Sequence, residues 1–281
     1  MKEKTIHKVL SIAGFDGSGG AGIQADLKTF SALGCYGTTV LTALSVQNTL
    51  GIRSIYKLET TCVEEQLEVI FDDIQVEAVK IGMLQRQDIV ESVTDMLSQY
   101  RATNIVLDPI MTAKSGDVLL LPDALVSMKK RLLPITTVLT PNLMEASQLL
   151  GYKVATKTQM EQAAIDLLEM GPQAVLVKGG HLNGDCDDCI STKETGYKIH
   201  WLSHPRIQSK NTHGTGCTLS AAIAAYLAKG TSILEAIKKA KDYLTQSIQT
   251  GKYLNVGRGN GSVHHLHVLN QKKIDKKEDG A

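Results

Sequence analysis

The sequence lacks the features that mark membrane, nucleic-acid-binding or secreted proteins. No apolar run reaches the length of a membrane-spanning helix, and the longest, around Leu219 to Leu227, is much too short. The formal net charge is only +1, so no excess of basic residues is available to attract nucleic acid or an anionic membrane. The first residues pass quickly into an apolar segment that resembles a β-strand more than a secretory signal. We therefore expect a cytoplasmic globular protein without nucleic-acid or membrane partners.

The cysteines do not form the pattern of a disulfide-stabilised protein. There are 5 of them at irregular spacing in 281 residues, which favours reduced thiols. Cys186 and Cys189 have the spacing of half a zinc site, but no second pair accompanies them, so we predict an exposed hairpin turn there. His264, His265 and His267 form the other cluster of metal-ligand types, and their alternation favours a strand over a metal site.

Short β-rich runs alternate with helical patterns along most of the chain. Several of these runs are almost wholly apolar, which is typical of strands covered on both faces. Repeated βα units imply a mostly parallel sheet with helices on both faces. We find no repeat and no Pro- or Ser-rich linker, which predicts one domain over 1–270 and a disordered charged tail over 271–281. The predicted strands are 9–13, 38–46, 78–81, 105–107, 137–139 and 174–177, followed by an antiparallel hairpin over 190–207 and helices at 215–228 and 232–250.

Unusual residues follow the predicted strands one after another. Ligands of open α/β sheets bind beyond the carboxyl ends of the strands, so these residues are expected to share one site. In chain order the strands are followed by Gly14, Gln47, Gly82 with Met83, Asp108, Asn142 with Glu145, and Lys178.

The glycine-rich segment 17–22 fits the pattern G-x-G-x-x-G of dinucleotide-binding proteins. Such a site also needs an acidic residue about twenty positions further on for the ribose, and residues 27–58 contain neither Asp nor Glu. A dehydrogenase is therefore excluded. A Walker-type phosphate loop is absent as well, because Gly251-Lys252 continues with Tyr253 and lacks the upstream glycine.

The segment Asn211 to Thr218 combines two glycines and a cysteine at the start of a predicted helix. The backbone amides of such a turn, together with the helix dipole, can hold an anion beside the Cys217 thiol. An ordinary capped helix with Cys217 as a small buried hydrophobe remains the alternative at this point. Because no Walker-type loop is present, a nucleotide phosphate would have to be held by this turn and by Lys178.

Hard oxygen ligands suited to Mg²⁺ are offered by Asp108, Asn142 and Glu145, directly or through water. Asn142 and Glu145 also have the spacing of a capping box at the start of a helix. The two roles are compatible.

These motifs together resemble the hydroxymethylpyrimidine/phosphomethylpyrimidine kinases of thiamine biosynthesis, which belong to the ribokinase-like superfamily and are related to its pyridoxal kinase branch. The resemblance extends from about Val9 to His267. It depends on segments 13–14, 19–26, 47–49, 80–84, 140–143, 177–181 and 211–217.

The resemblance implies an α/β three-layer sandwich that binds ATP and Mg²⁺ and forms a homodimer. The implied reactions are phosphorylation of 4-amino-5-hydroxymethyl-2-methylpyrimidine and then of its monophosphate to the diphosphate. Cysteine at position 217, where the sugar kinases of the superfamily carry aspartate, indicates the branch that acts on vitamin precursors.

Roles for individual residues follow from the same resemblance. Cys217 would accept the proton of the substrate hydroxyl, and we expect the helix N-terminus to lower the pKa of its thiol. Gln47 would read the aminopyrimidine edge, since its amide offers a donor and an acceptor side by side. Gly214, Thr215 and Gly216 would stabilise the transferred phosphoryl group. Further implied residues are Gly14, Ala21, Asp26, Met83 and Ile110 for the substrate, Asp108, Asn142, Glu145, Lys178 and Thr212 for ATP, and Asp108 and Glu145 for Mg²⁺.

Two alternatives remain open. A pyridoxal or pyridoxine kinase would use the same chemistry on a similar ring, although Gln47-Asn48-Thr49 favours the pyrimidine. A non-catalytic protein that binds pyrimidines or nucleotides would be expected to lack Cys217, Lys178 or the acidic residues, and all are present.

Overall fold

One β-sheet forms the centre of the protein, in a computed structural model that describes residues 6–113, 116–180, 182 and 186–269. Its strands are β1 (Lys8–Asp16), β2 (Tyr36–Asn48), β3 (Gly51–Lys57), β4 (Ala78–Ile81), β5 (Ile105–Leu107), β6 (Val138–Leu139), β7 (Ala174–Val177), β8 (Asp188–Thr192) and β9 (Ile199–Leu202). The α-helices are α1 (Gly22–Ala32), α2 (Thr60–Asp73), α3 (Gln87–Gln99), α4 (Pro122–Ser127), α5 (Leu143–Leu150), α6 (Lys157–Glu169), α7 (Thr215–Ala228) and α8 (Ile233–Gly251). A π-helical turn (Met128–Leu132) and a 3₁₀ turn (Leu133–Ile135) follow α4.

The strand order across the sheet is β3-β2-β1-β4-β5-β6-β7-β8-β9. From β2 to β7 all neighbours are parallel, whereas β3, β8 and β9 pair antiparallel at the two edges. The chain leaves β1 for β2 on one side and later returns to β4 on the other. This reversal of strand order opens a crevice beyond the carboxyl ends of β1 and its neighbours, where ligands of α/β sheets bind.

Two apolar layers cover the sheet, one on each face. One joins Leu10, Ile12 and their strand neighbours to helices α2 to α6, and the other joins Val9, Val106 and Val138 to α1, α7 and α8. Apolar side chains that alternate along the strands supply both layers, which is why the central strands are mostly apolar on both faces. The predicted three-layer α/β arrangement with a mostly parallel sheet is confirmed.

All six predicted strands are present, and β4, β5 and β7 have the predicted bounds. The predicted hairpin over 190–207 is present as β8 and β9, and helix α7 spans the predicted residues. Strand β3 was missed. Its apolar residues Ile52 and Ile55 are three positions apart, a spacing that hides the two-residue strand period. The strand forms nevertheless, because a bulge at Arg53 takes up the extra residue opposite β2.

Two predictions of local structure are wrong. Segment 186–189 is not an exposed turn, because Cys189 lies in β8 between two neighbouring strands and is fully buried. The histidines 264–267 do not form a strand; they continue through a turn into a short helical segment, where the carbonyl of His265 accepts a hydrogen bond from Tyr243 Oη. In both places burial by α8 or the sheet overrides the local pattern.

No helix within the described ranges is both long and apolar enough to cross a membrane. One domain over 1–270 stays a prediction, and residues 271–281 lie outside the described residues.

Candidate active site

A cleft of about 1510 Å³ lies beyond the carboxyl ends of the parallel strands. Apart from Asp26 and Gly82, every residue that the sequence assigned to the site lines this cleft. They are Gly14, Ala21, Gln47, Met83, Asp108, Ile110, Asn142, Glu145, Lys178, Thr212, Gly214, Thr215, Gly216 and Cys217.

The glycine-cysteine turn leads into α7 as expected. Gly214 adopts a left-handed conformation (φ +79°), and a Cβ atom there would lie 1.7 Å from the carbonyl oxygen of Gly20, so the position requires glycine. No side chain caps the first turn of α7. The Thr215 N–H makes a long hydrogen bond of 3.5 Å to the Thr212 carbonyl, and no side chain competes with an anionic ligand for the first amides of α7.

Lys178 lies between two carboxylates beside this turn. Its Nζ atom is 2.8 Å from Asp108 Oδ1 and 3.9 Å from Glu145 Oε2. A Cβ atom on Gly216 would be 3.1 Å from Asp108 Oδ2 and 3.5 Å from Lys178 Nζ, so the turn and the charged cluster are in contact. Burial alone would lower the pKa of Lys178, but Asp108 and Glu145 raise it above its ordinary value. A fixed positive charge therefore stands next to the open amides of α7.

Glu145 has an unusual environment for a carboxylate. Burial, reinforced by the nearby charge of Asp108, raises the pKa of Glu145 to about 7 despite the opposing ammonium of Lys178. Asn142 caps α5, since its Oδ1 accepts hydrogen bonds from the backbone N–H groups of Met144 and Glu145, both at 2.9 Å. Glu145 Oε2 in turn accepts from the Asn142 N–H at 2.7 Å. The capping box predicted from the sequence is therefore confirmed.

The donor set of this cluster fits Mg²⁺. Asp108 and Glu145 present carboxylate oxygens to one end of the cleft, and such oxygens are the ligands this ion prefers. Among the described residues no group of three or more His, Cys, Asp or Glu side chains could hold a metal by itself. The two carboxylates therefore suit an ion that keeps waters or takes phosphate oxygens as its other ligands.

Cys217 lies at the bottom of the cleft and is 5% exposed. Burial raises the pKa of its thiol to about 11; Lys80 opposes this effect, whereas Asp26 and Asp108 add to it. The backbone N–H of Gly22 donates a hydrogen bond to the sulfur. The expectation of a lowered thiol pKa is wrong for the ligand-free protein, because desolvation and two carboxylates outweigh the helix N-terminus.

Asp26 does not reach the cleft, so its assignment as a substrate contact is also corrected. Its side chain has no exposed surface, accepts a hydrogen bond from Ser11 Oγ at 2.5 Å and forms an ion pair with Lys80 Nζ at 2.8 Å. Burial alone would lower the pKa of Lys80, but Asp26 raises it above the ordinary value. The pair is a buried link between α1 and β4, below the start of α7.

Asp16 organises the glycine-rich segment, a role that sequence reasoning missed. Its Oδ2 accepts hydrogen bonds from the backbone N–H groups of Gly20 and Ala21 at 3.1 and 2.7 Å. Its Oδ1 accepts from the N–H and the hydroxyl of Ser18 at 2.9 and 2.7 Å. The ring Nε2 of His213, in the glycine-cysteine turn, lies 2.8 Å from Oδ2. An aspartate two positions before a serine, at the end of a strand, is the signal that could have indicated this turn.

These contacts show what the glycine-rich segment does. Burial alone would raise the pKa of Asp16, but hydrogen bonds from His213, Gln47 and Ser18 hold it well below its usual range. The amides of Gly20 and Ala21 are thus occupied by a carboxylate of the protein itself. They are not a phosphate cradle, in agreement with the exclusion of a dinucleotide site.

Apolar side chains line the part of the cleft next to Gln47. Met83 packs with Ala43 and Leu119, and Ile110 lies against this group. The Met83 carbonyl accepts a hydrogen bond from Thr42 Oγ1 at 2.6 Å, which fixes the chain after β4. A flat ring with one polar edge suits such a pocket.

A second charged pair, also missed from the sequence, supports the segment that carries Lys178. Asp188 Oδ2 lies 2.5 Å from Lys241 Nζ, and its Oδ1 accepts a hydrogen bond from the Gly179 N–H at 2.9 Å. The cysteine spacing around Asp188 predicted an exposed turn, whereas the structure places Asp188 in β8 and buries it.

The open amides, the lysine and the two carboxylates meet beside an apolar ring pocket in a doubly wound sheet. This combination defines a small-molecule kinase, in which positioning and charge stabilisation supply the catalysis.

Comparison with known proteins identifies the family. A family model described as Phosphomethylpyrimidine kinase matches residues 16–264. A hydroxymethylpyrimidine/phosphomethylpyrimidine kinase of Escherichia coli strain K12 is 49% identical over 261 residues, covering 92% of this chain and 97% of that protein. The chain belongs to the phosphomethylpyrimidine kinase family.

Solved structures agree with this assignment. Phosphomethylpyrimidine kinase from Clostridium difficile 630 matches with a TM-score of 0.77 at 40% identity, covering 87% of this chain and all (100%) of that one. Pyridoxal kinase from Staphylococcus aureus, solved with AMP-PCP and pyridoxal, matches with a TM-score of 0.85 at 35% identity, covering 94% of each chain. The predicted ribokinase-like fold is confirmed.

Proposed function

We propose that this protein uses ATP to phosphorylate 4-amino-5-hydroxymethyl-2-methylpyrimidine, and then its monophosphate to the diphosphate, in thiamine biosynthesis. The observation that carries the proposal is that one cleft holds Gln47 and an apolar ring pocket on one side and the open amides of α7, Lys178 and Asp108 on the other. The residue proposed to recognise the aminopyrimidine edge therefore lines the same cleft as the residues proposed for phosphoryl transfer.

Gln47 is the residue that selects the ring. The ionised Asp16 only accepts hydrogen bonds, so the Gln47 amide nitrogen is the group that faces it. The amide oxygen is then left for a ring substituent that donates, such as an exocyclic amine. Ala21, Met83 and Ile110 would contact the ring faces, and Gly14 leaves room beside Met83 because a Cβ atom there would lie 2.6 Å from Met83 Cε.

The transferred phosphoryl group would be stabilised by Gly214, Thr215 and Gly216 through their backbone amides and by the ammonium of Lys178. Cys217 would accept the proton of the attacking hydroxyl. Because its thiol pKa is raised in the ligand-free protein, it must first lose its own proton. Neutralisation of the Asp108 carboxylate would lower the pKa of the Cys217 thiol, because the charge of Asp108 is one of the contributions that raise it.

Asp108 and Glu145 would hold Mg²⁺, in part through water, and Asn142 and Thr212 would contact ATP. Bound there, the ion would screen the phosphate charges of the nucleotide. The residues themselves are suited to this task, since Lys178 already balances one of the two carboxylates.

A homodimer in the cytoplasm is a further part of the proposal. Exposed apolar side chains on the edge hairpin, including Leu44, Val46 and Tyr56, offer a surface for a second copy. Five unpaired cysteines are typical of a reducing compartment. Sedimentation equilibrium measures the oligomer directly, and a monomer at all concentrations would contradict it.

Pyridoxal kinase activity is the second candidate function. The high TM-score of the Staphylococcus aureus pyridoxal kinase favours it, because the two proteins share the shape of the whole scaffold. Gln47 favours the pyrimidine, so we expect vitamin B6 compounds to be the poorer substrates.

A coupled assay of ADP release tests the proposal with each ring compound separately and with the pyrimidine monophosphate. We expect ADP with the pyrimidine and with its monophosphate. Release with pyridoxal alone would move the assignment to the second candidate. No ADP with any of them would support a binding protein without catalysis.

A further inference from the structure

The loop after α8 connects two separate parts of the cleft. The loop first contacts Thr49, which lies in the turn between β2 and β3. The backbone N–H of Asn260 donates to the Thr49 carbonyl at 2.9 Å, and the N–H of Gly259 donates to Thr49 Oγ1 at 3.1 Å. A Cβ atom on Gly259 would lie 1.9 Å from the Thr49 carbonyl oxygen, so only glycine permits this approach.

Two residues further on, the same loop contacts the glycine-cysteine turn. The N–H of His213 donates to the Gly261 carbonyl at 3.0 Å, and His213 and Ser262 form a parallel bridge. A Cβ atom on Gly261 would lie 2.1 Å from Asn211 Oδ1, so this contact is as close as the first one. Segment 257–262 is therefore held by Thr49 at one end and by the turn before α7 at the other.

Thr49 is only two residues from Gln47, and the chain between them has little freedom. Gln47 pairs with Ile52 and Asn48 with Gly51 in the β2–β3 ladder, so both are bound to the neighbouring strand. The ladder has a bulge at this point, where Arg53 of β3 has no partner residue between Val46 and Gln47. The hydroxyl of Thr49 adds a contact from outside the hairpin.

We infer that Thr49 is a positioning residue for the kinase reaction: through segment 257–262 it holds the Gln47 side chain at a set distance from the turn that carries Cys217. The inference rests on the proposed function. Thr49 does not act on the reacting atoms, and its effect passes through Gln47. Segment 257–262 thereby links the residue that binds the substrate, Gln47, to the turn that carries Cys217.

The test compares Thr49→Val with Thr49→Ser in steady-state assays with the pyrimidine and with ATP. Valine keeps the shape of threonine but leaves the Gly259 N–H without its acceptor, whereas serine restores the hydroxyl. We expect Thr49→Val to raise KM for the pyrimidine about five- to tenfold while KM for ATP stays within about twofold of the wild type. Thr49→Ser is expected to behave like the wild type.

Arg258→Ala is the matched control, because Arg258 belongs to the same loop and its side chain is exposed. We expect no change in either KM. Thermal unfolding of all variants reports on folding. A normal pyrimidine KM in Thr49→Val, or an equal rise of both KM values, would overturn the inference.

A double-mutant cycle with Gln47→Leu gives a second measurement that needs no turnover. Titration calorimetry of the pyrimidine should show that Thr49→Val weakens binding in the wild type but changes it little in the Gln47→Leu background. Additive effects would contradict a role that passes through Gln47. Failure of the wild-type protein to bind or phosphorylate the pyrimidine would instead refute the proposed function, so the two failures are distinguishable.

Discussion

The ring Nε2 of His213 lies 2.8 Å from Oδ2 of Asp16, which ties the glycine-cysteine turn to the glycine-rich segment after β1. The two segments touch closely, since a Cβ atom on Gly214 would lie 1.7 Å from the carbonyl oxygen of Gly20. One carboxylate therefore organises the backbone of the glycine-rich segment and holds the glycine-cysteine turn against it. The two glycine motifs form one unit.

Asp16→Asn tests this arrangement. An amide nitrogen in place of one oxygen would meet N–H donors, so we expect a loss of stability of about 1–3 kcal/mol and a fall in turnover of about 100-fold. Urea unfolding and steady-state kinetics measure the two effects. Ser18→Ala removes only one hydroxyl contact and serves as the control. Full activity in Asp16→Asn would show that the carboxylate is not required.

Gln47→Leu should weaken binding of the pyrimidine by ~1–3 kcal/mol, because the polar edge of the ring is left unpaired. Isothermal titration calorimetry measures the affinity directly. The exposed Ser54 of β3, which does not line the cleft, provides the control variant Ser54→Ala. Unchanged affinity in Gln47→Leu would remove Gln47 from the binding site.

Cys217→Ala should lower turnover by about 10²–10⁴-fold and leave ATP affinity intact, as expected for loss of a general base. The raised thiol pKa, about 11, further predicts slow alkylation of Cys217 at neutral pH and faster alkylation as the pH rises. Mass spectrometry after iodoacetamide treatment measures the modification. Wild-type turnover in Cys217→Ala would refute the proposed role, whatever the thiol reactivity.

The buried pair of Lys80 and Asp26 makes a prediction about stability. Lys80→Met leaves Asp26 as an uncompensated buried charge and should cost about 3–5 kcal/mol in the free energy of unfolding. The double variant Lys80→Met/Asp26→Leu should recover much of this loss, because no buried charge remains. Denaturant unfolding of both variants measures the difference. Equal destabilisation would indicate that packing, rather than charge, dominates.

His265 predicts a dependence of stability on pH. Burial lowers the pKa of His265 to about 3, reinforced by the charges of Lys28, His264 and His213, whereas in the unfolded chain it would be about 6.5. Between these values the unfolded chain binds the proton and the folded protein does not. The contribution of His265 is therefore complete above pH about 6.5 and declines as the pH falls toward 3, by at most about 1.4 kcal/mol per pH unit.

Unfolding curves measured from pH 7 to pH 4 test this dependence. His265→Phe should reduce the slope, and the neighbouring substitution His264→Asn serves as the control. An unchanged slope in His265→Phe would show that other groups account for the acid sensitivity.

Much of the architecture follows from local sequence. Strands β5 and β7 are short and wholly apolar, β4 is apolar except for Lys80, and all three are bounded by polar residues or glycine, so their positions could be predicted from the chain itself. The residues of the site could be predicted from the sequence as well, because the carboxyl ends of parallel strands lie at the same edge of the sheet. Strand β3 was not predicted because its bulge breaks the two-residue period. The burial of Cys189 could not be predicted either, because it depends on pairing with strands that are distant in the sequence.

By itself the sequence determined the order of strands and helices, the resemblance to a kinase family and nearly all residues that line the cleft. Only the tertiary structure decided how these residues act on one another. In the tertiary structure Asp26 lies beneath the cleft and pairs with Lys80, and Asp16 accepts hydrogen bonds from the amides of the glycine-rich segment. Burial raises the pKa of Cys217, and segment 257–262 connects Thr49 to the turn before α7. The physical reason is that local propensity and periodicity act over a few residues. Desolvation and charge pairing instead depend on distances between segments far apart in the chain.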